Sequence, residues 1–89
     1  MAKFVVLLTY GDDGGLRQRV RPKHREYLWS LANDGKLLHA GPFADDSGAL
    51  LIYEVDSQEE AEAMLAADPF STEGVIVDST IHEWNRVLP

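Results

Sequence analysis

Two short segments constrain this chain more than any others: Lys3–Tyr10 (KFVVLLTY) and Ala49–Val55 (ALLIYEV) are apolar on both alternations. A strand with one solvated face alternates apolar and polar residues, because successive side chains point to opposite sides. These two segments instead read as central strands whose two faces both leave water.

The intervening patterns set their order. Gly11–Gly15 (GDDGG) reads as turn or loop. A first helix is expected to begin near Pro22, since proline suits the first helical position. Its apolar positions are Tyr27, Leu28, Leu31 and Ala32, and Asn33-Asp34-Gly35 supplies a stop signal. Leu37–Ala40 reads as a short strand and Gly41–Gly48 (GPFADDSG) as a turn-rich connection. Ser57 and Glu60 have the spacing of a capping box, opening a helix with Ala61, Met64 and Leu65 on one face. Asp68-Pro69 should end it, because proline disfavours helical geometry at the preceding residue. Val75–Val87 reads as the last strand.

The order is β-α-β-β-α-β, which with right-handed crossovers predicts a ferredoxin-like α+β fold: one antiparallel sheet, strand order 4-1-3-2, both helices on one face. The two apolar segments then occupy the middle of the sheet. Helices cover one face only, so the other needs a partner. A second copy, sheet to sheet, is the simplest one, and a homodimer through the open sheet face is expected.

Eighty-nine residues leave room for a single domain, 1–89, with no internal repeat or linker. No apolar run reaches the length of a membrane span, and acidic residues follow the short N-terminal apolar stretch where a leader cleavage site would belong. A cytoplasmic protein with no membrane partner is therefore expected. The absence of cysteine excludes disulfides, thiol nucleophiles and thiolate metal sites. A net charge of −7 argues against nucleic acid as a partner. That charge is unevenly spread: Arg17, Arg19, Arg21, Lys23 and Arg25 are five of the eight basic residues. They read either as a solvated loop or as an anion-attracting patch beside a site.

One pair of residues carries candidate chemistry. His24 lies three, four and seven residues before Tyr27, Leu28 and Leu31, on the inward stripe of the first helix. Asp68 lies on the inward stripe of the second, after Ala61, Met64 and Leu65. The topology makes the helices antiparallel, so both should sit at one end of the domain. Placed at a helix start and a helix end, each would oppose the local dipole, and pairing would offset both penalties. A carboxylate on one imidazole nitrogen leaves the other as a base; the alternative is a structural bond tying two helices together. Tyr10, Tyr27, Phe43, Phe70 and Trp84 are candidates for a pocket wall. His39 and His82 lack ligand-like spacing, so neither a metal nor a cofactor is expected, and Asp45-Asp46 reads as a solvated hairpin tip.

The runs Arg21-Pro22-Lys23-His24, Leu38-His39-Ala40-Gly41-Pro42 and Ala67-Asp68-Pro69-Phe70, followed by Gly74-Val75 and Trp84, resemble the YCII-related family over nearly the whole chain. The resemblance implies a YCII-like domain forming a dimeric α/β-barrel, with an active site on a histidine–aspartate pair mapping onto His24 and Asp68. That family is similar to muconolactone-isomerase-like and chloromuconolactone-dehalogenase proteins. This chain is shorter than many members in the hairpin after Asp46. The leading expectation is a cofactor-independent isomerase or eliminating lyase acting on a small anionic organic acid or lactone. His24 would move the proton and Asp68 orient it; Arg17, Arg19, Arg21, Tyr27, Gly41, Pro42 and Phe70 would bind the substrate. A non-catalytic metabolite-binding module and a purely structural dimer are the alternatives.

Overall fold

A computed structural model describes all 89 residues. The elements are β1 (Ala2–Tyr10), α1 (Gly14–Asn33), β2 (Leu37–Pro42), β3 (Gly48–Val55), α2 (Gln58–Ala67), α3 (Pro69–Thr72) and β4 (Ile76–Trp84). The four strands form one antiparallel sheet in the order β2-β3-β1-β4, the ferredoxin-like arrangement. No helix is long and apolar enough to cross a membrane.

The alternation of the central strands splits their apolar residues between two faces. Phe4, Val6 and Leu8 of β1 pair with Tyr53, Leu51 and Ala49 of β3 and are buried beneath the helices with Leu31, Ala61, Met64 and Leu65. Val5 and Leu7 pair with Ile52 and Leu50 on the opposite face. There Leu7 is 38% exposed, and no element of the chain covers it. At the end of β3, a Cβ on Gly48 would meet the Leu8 carbonyl oxygen at 1.8 Å, so only glycine lets the strands approach there.

The first helix departs from expectation. It starts at Gly14, not near Pro22, and Pro22 lies inside it. Asp13 provides the start, its Oδ1 accepting the Leu16 N–H at 2.9 Å. Proline has no N–H for the carbonyl four residues back, at a cost of about 3 kcal/mol. Packing offsets it: Val20 is buried with Phe70 and Val75, and Leu16 packs on this small second cluster. The basic run is therefore helical and not a loop.

Both helix ends of α1 and α2 that the sequence marks do form. Gly35 is left-handed at φ +76°, with Gly35 N–H donating to Ala32 O at 3.0 Å and Lys36 N–H to Leu31 O at 2.9 Å. Ser57 Oγ accepts the Glu60 N–H at 3.1 Å, the first half of a capping box. Asp68-Pro69 ends α2 and also opens the single turn of α3, with Asp68 as its N-cap. β4 stops at Trp84, short of the expected Val87.

Candidate active site

His24 and Asp68 meet. His24 Nδ1 lies 2.7 Å from Asp68 Oδ1, and Asp68 is 0% exposed. The same oxygen accepts the Phe70 N–H at 2.9 Å, so the turn that Pro69 forces also aims the carboxylate. An ionised carboxylate only accepts, which puts the proton on Nδ1 and leaves Nε2 as the free ring nitrogen. The imidazole lies flat on Phe70, centroids 3.7 Å apart, and Tyr10 meets Phe70 edge-on at 5.8 Å. These contacts lock the ring in one plane.

Helix dipoles do not account for the pairing. His24 sits mid-way along α1, beyond the turn in which the helix dipole acts, and Asp68 as N-cap of α3 faces a favourable end. Inward spacing alone brings the two together.

A cavity of about 690 Å³ opens beside the pair, between α1, β2 and the β2–β3 hairpin. Arg17, Arg21 and Arg25, one helical turn apart, line one wall with His24, Leu28 and Trp29. Residues 37–42, including Gly41 and Pro42, line the other, and Ala49, Leu51 and Phe70 contribute apolar surface. Arg17 stacks over Tyr10, 4.7 Å from the ring centroid, and is paired with Asp46 of the hairpin. Asp46 is held in the left-handed region at φ 64°. Its neighbour Asp45 accepts from Ser47 N–H and Oγ–H, which holds its carboxyl below the usual range. Arg21 and Arg25 form no ion pair, so the wall presents net positive charge in an acidic protein.

Several expected positions lie elsewhere. Arg19 falls on the exposed side of α1, away from the cavity, because its spacing from Arg17 and Arg21 is half a turn. Tyr27 turns from the cavity and donates to the Met64 carbonyl at 2.6 Å, a strut between the two longer helices. Burial, then the Asp68 charge, raises its pKa. Phe43 and Trp84 do not line the cavity, and Asp46 is no free hairpin tip. Sequence reasoning placed Arg25 in the basic patch but not among the binding residues, and missed Trp29 and Asp46. The i, i+4, i+8 spacing of the arginines was visible, but starting the helix at Pro22 hid it. No three His, Asp or Glu side chains converge as a metal site would require.

The chain matches the YCII-related domain over residues 2–85. It is 33% identical over 82 residues to Protein YciI of Escherichia coli O6:H1, covering 81% of this chain and 84% of that protein. It is 39% identical over 61 residues to protein YjpA of Bacillus subtilis, covering 68% and 71%. Among solved structures it is similar to 5-chloro-2-hydroxyhydroquinone dehydrochlorinase (TftG) of Burkholderia phenoliruptrix AC1100 in complex with 2,5-dihydroxybenzoquinone. That similarity has a TM-score of 0.79 at 26% identity and covers 93% of each chain. Matched from its second residue to its last strand, the chain belongs to the YCII-related family.

Proposed function

We propose that the chain is an acid–base enzyme of the eliminating-lyase or isomerase type, acting on a small anionic organic acid, lactone or hydroxylated ring and working as a homodimer. The observation that carries this reading is His24, backed by the buried Asp68, in the wall of a cavity lined by three arginines. Nε2 of His24 takes a proton from carbon next to a carbonyl, and Asp68 stabilises the imidazolium through Nδ1–H. Arg21 and Arg25 hold the substrate's anionic group and the negative charge that develops on the carbonyl oxygen. The resulting enolate either expels a leaving group from the adjacent carbon or is reprotonated elsewhere. Elimination requires only a proton acceptor and charge stabilisation, and reprotonation returns the proton from the His24 imidazolium. The dehydrochlorinase of similar fold favours the first.

The test is turnover of chlorinated hydroxyhydroquinones and of muconolactones, followed by chloride release and ultraviolet absorbance. His24→Ala should abolish turnover, and Arg21→Ala should raise KM about tenfold, as loss of one charge-assisted contact implies. Full activity in His24→Ala would sink the proposal. One observation favours a second reading: His24 is only 8% exposed, as a purely structural residue would be. Ligand binding without turnover across both substrate classes would support a metabolite-binding module in which the His24–Asp68 bond serves structure alone.

A further inference from the structure

The charges on the cavity wall are not equivalent. Arg17, Arg21 and Arg25 follow one another along α1 at intervals of about 6 Å, roughly one helical turn each. Arg17, at the hairpin end, is already neutralised: it pairs with Asp46, and its side chain, stacked over Tyr10, is only 15% exposed. Arg21 and Arg25 have no carboxylate partner. His24 falls between them in the helix, so unpaired positive charge flanks the base and fades toward the hairpin. A ligand's anionic group is therefore drawn to the His24 end of the wall.

The hairpin end has the opposite chemistry. Asp46 also lines the cavity, its side chain 57% exposed, and it accepts from Arg17 through Oδ2. Oδ1 remains an acceptor for a donor that enters the cavity. Neighbouring Asp45 is committed to Ser47 and does not line the cavity. A hydroxyl on the ligand would donate to Asp46. A second anionic group would instead meet a carboxylate, and the Arg17 charge that could offset the repulsion is already engaged.

We propose that Asp46 is the specificity-determining residue of this site: it makes the cavity select a monoanion carrying a hydroxyl at its far end and reject a dianion of the same length. The selection combines an attractive contact, hydroxyl to carboxylate, with a repulsive one, carboxylate against carboxylate. Without Asp46 the wall would hold three free cations in a row, an arrangement suited to dicarboxylates. The selection rests on the cavity being the substrate site, as read above, and not on turnover.

The experiment is isothermal titration calorimetry with 4-hydroxybenzoate and terephthalate, a hydroxylated monoanion and a dianion built on the same ring. The proteins are the wild type, Asp46→Asn, Asp46→Gly and Arg21→Ala. Asparagine and glycine both accept the left-handed backbone at φ 64°, so the turn survives either change. Wild-type protein should bind 4-hydroxybenzoate about tenfold more tightly than terephthalate, the factor that one charge-assisted contact supplies. In both Asp46 variants the order should invert, because Arg17 is released to the second carboxylate. Arg21→Ala should weaken both probes alike, which locates them on the arginine wall. A preference unchanged in both Asp46 variants overturns the proposal and leaves the role of the cavity standing. So does an equal loss for both probes, the mark of a purely structural tie. A wild-type preference for terephthalate overturns it as well. Binding of neither probe overturns both the selection and the reading of the cavity as an anion site. Selective binding by a protein that turns over no substrate would sink the proton-transfer reading alone.

Discussion

At the scale of single residues, the unusual group is Asp68, a fully buried carboxylate whose one side-chain hydrogen-bond partner is a histidine. Removing the partner of a buried charge costs more than removing the charge itself, because the first leaves desolvation uncompensated. His24→Ala should therefore lower stability at neutral pH by about 3 kcal/mol. Asp68→Asn, which keeps an oxygen for the Phe70 N–H, should cost only about 1–2 kcal/mol. Urea unfolding of both variants checks the order, and the reverse order would show that Asp68 is not held charged by His24. The buried tyrosines make a second prediction. Tyr53, Tyr27 and Tyr10 all have pKa values raised first by burial, so the folded state keeps protons that the unfolded chain releases. Stability is then full below the unfolded tyrosine value of about pH 10 and falls above it, by up to about 1.4 kcal/mol per pH unit for each tyrosine still protonated in the fold. Tyr53→Phe should make that alkaline decline shallower. Equal slopes would mean that the Tyr53 phenol ionises alike in both states.

At the scale of elements, α1 decides how the site is assembled, and it is the element in which the sequence was least legible. The strand order followed from hydrophobic patterning, since KFVVLLTY and ALLIYEV had to lie in the middle of any sheet these elements could form. The ends at Gly35 and Ser57 followed from local chemistry that acts within a few residues. The start of α1 did not. Pro22 is a strong local signal, and what overrides it is the non-local packing of Val20 on Phe70 and Val75, which no spacing within the helix announces. That error placed the arginines in a loop and made Arg19 look like a neighbour of Arg17 and Arg21. The His24–Asp68 pair survived it because inward periodicity around His24 does not depend on where the helix begins. Pro22→Ala restores a backbone N–H to the interior of α1 and should stabilise the protein by about 1–2 kcal/mol. That is less than the full proline cost, because proline also restricts the unfolded chain. A lower denaturant midpoint for this variant would show that the helix is bent at Pro22 to reach Phe70.

At the scale of the whole molecule, the sheet has one face covered by helices and one that nothing covers. The chain exposes 5588 Å², above the roughly 5,200 Å² expected for a compact protein of this mass. Part of the excess is the bare side of the sheet. Register puts Val5 and Ile52 at its centre in one row, flanked by His82 and His39, and Leu7 and Leu50 in the next, flanked by Thr80 and Gly41. The Lys3–Glu54 ion pair, 2.9 Å apart, lies at the edge beside Trp84. An apolar centre with a polar, charged rim matches the anatomy of a protein interface. Such a face meeting its own copy across a two-fold axis needs no complementary surface elsewhere. The three arginines of the cavity lie on α1, on the helix side, whereas His39 and Gly41 of its other wall border the bare face. Leu7→Glu tests the proposed homodimer without touching the buried residues of β1, because Leu7 points away from Phe4, Val6 and Leu8. Sedimentation equilibrium should give twice the chain mass for the wild-type protein and a single 9.9 kDa chain for the variant. The shift should be largest at low salt, where the two introduced carboxylates repel most strongly across the axis. A wild-type protein that sediments as a monomer would remove the dimer from the proposed function, and an Arg-lined cavity complete within one chain would then have to bind its ligand alone.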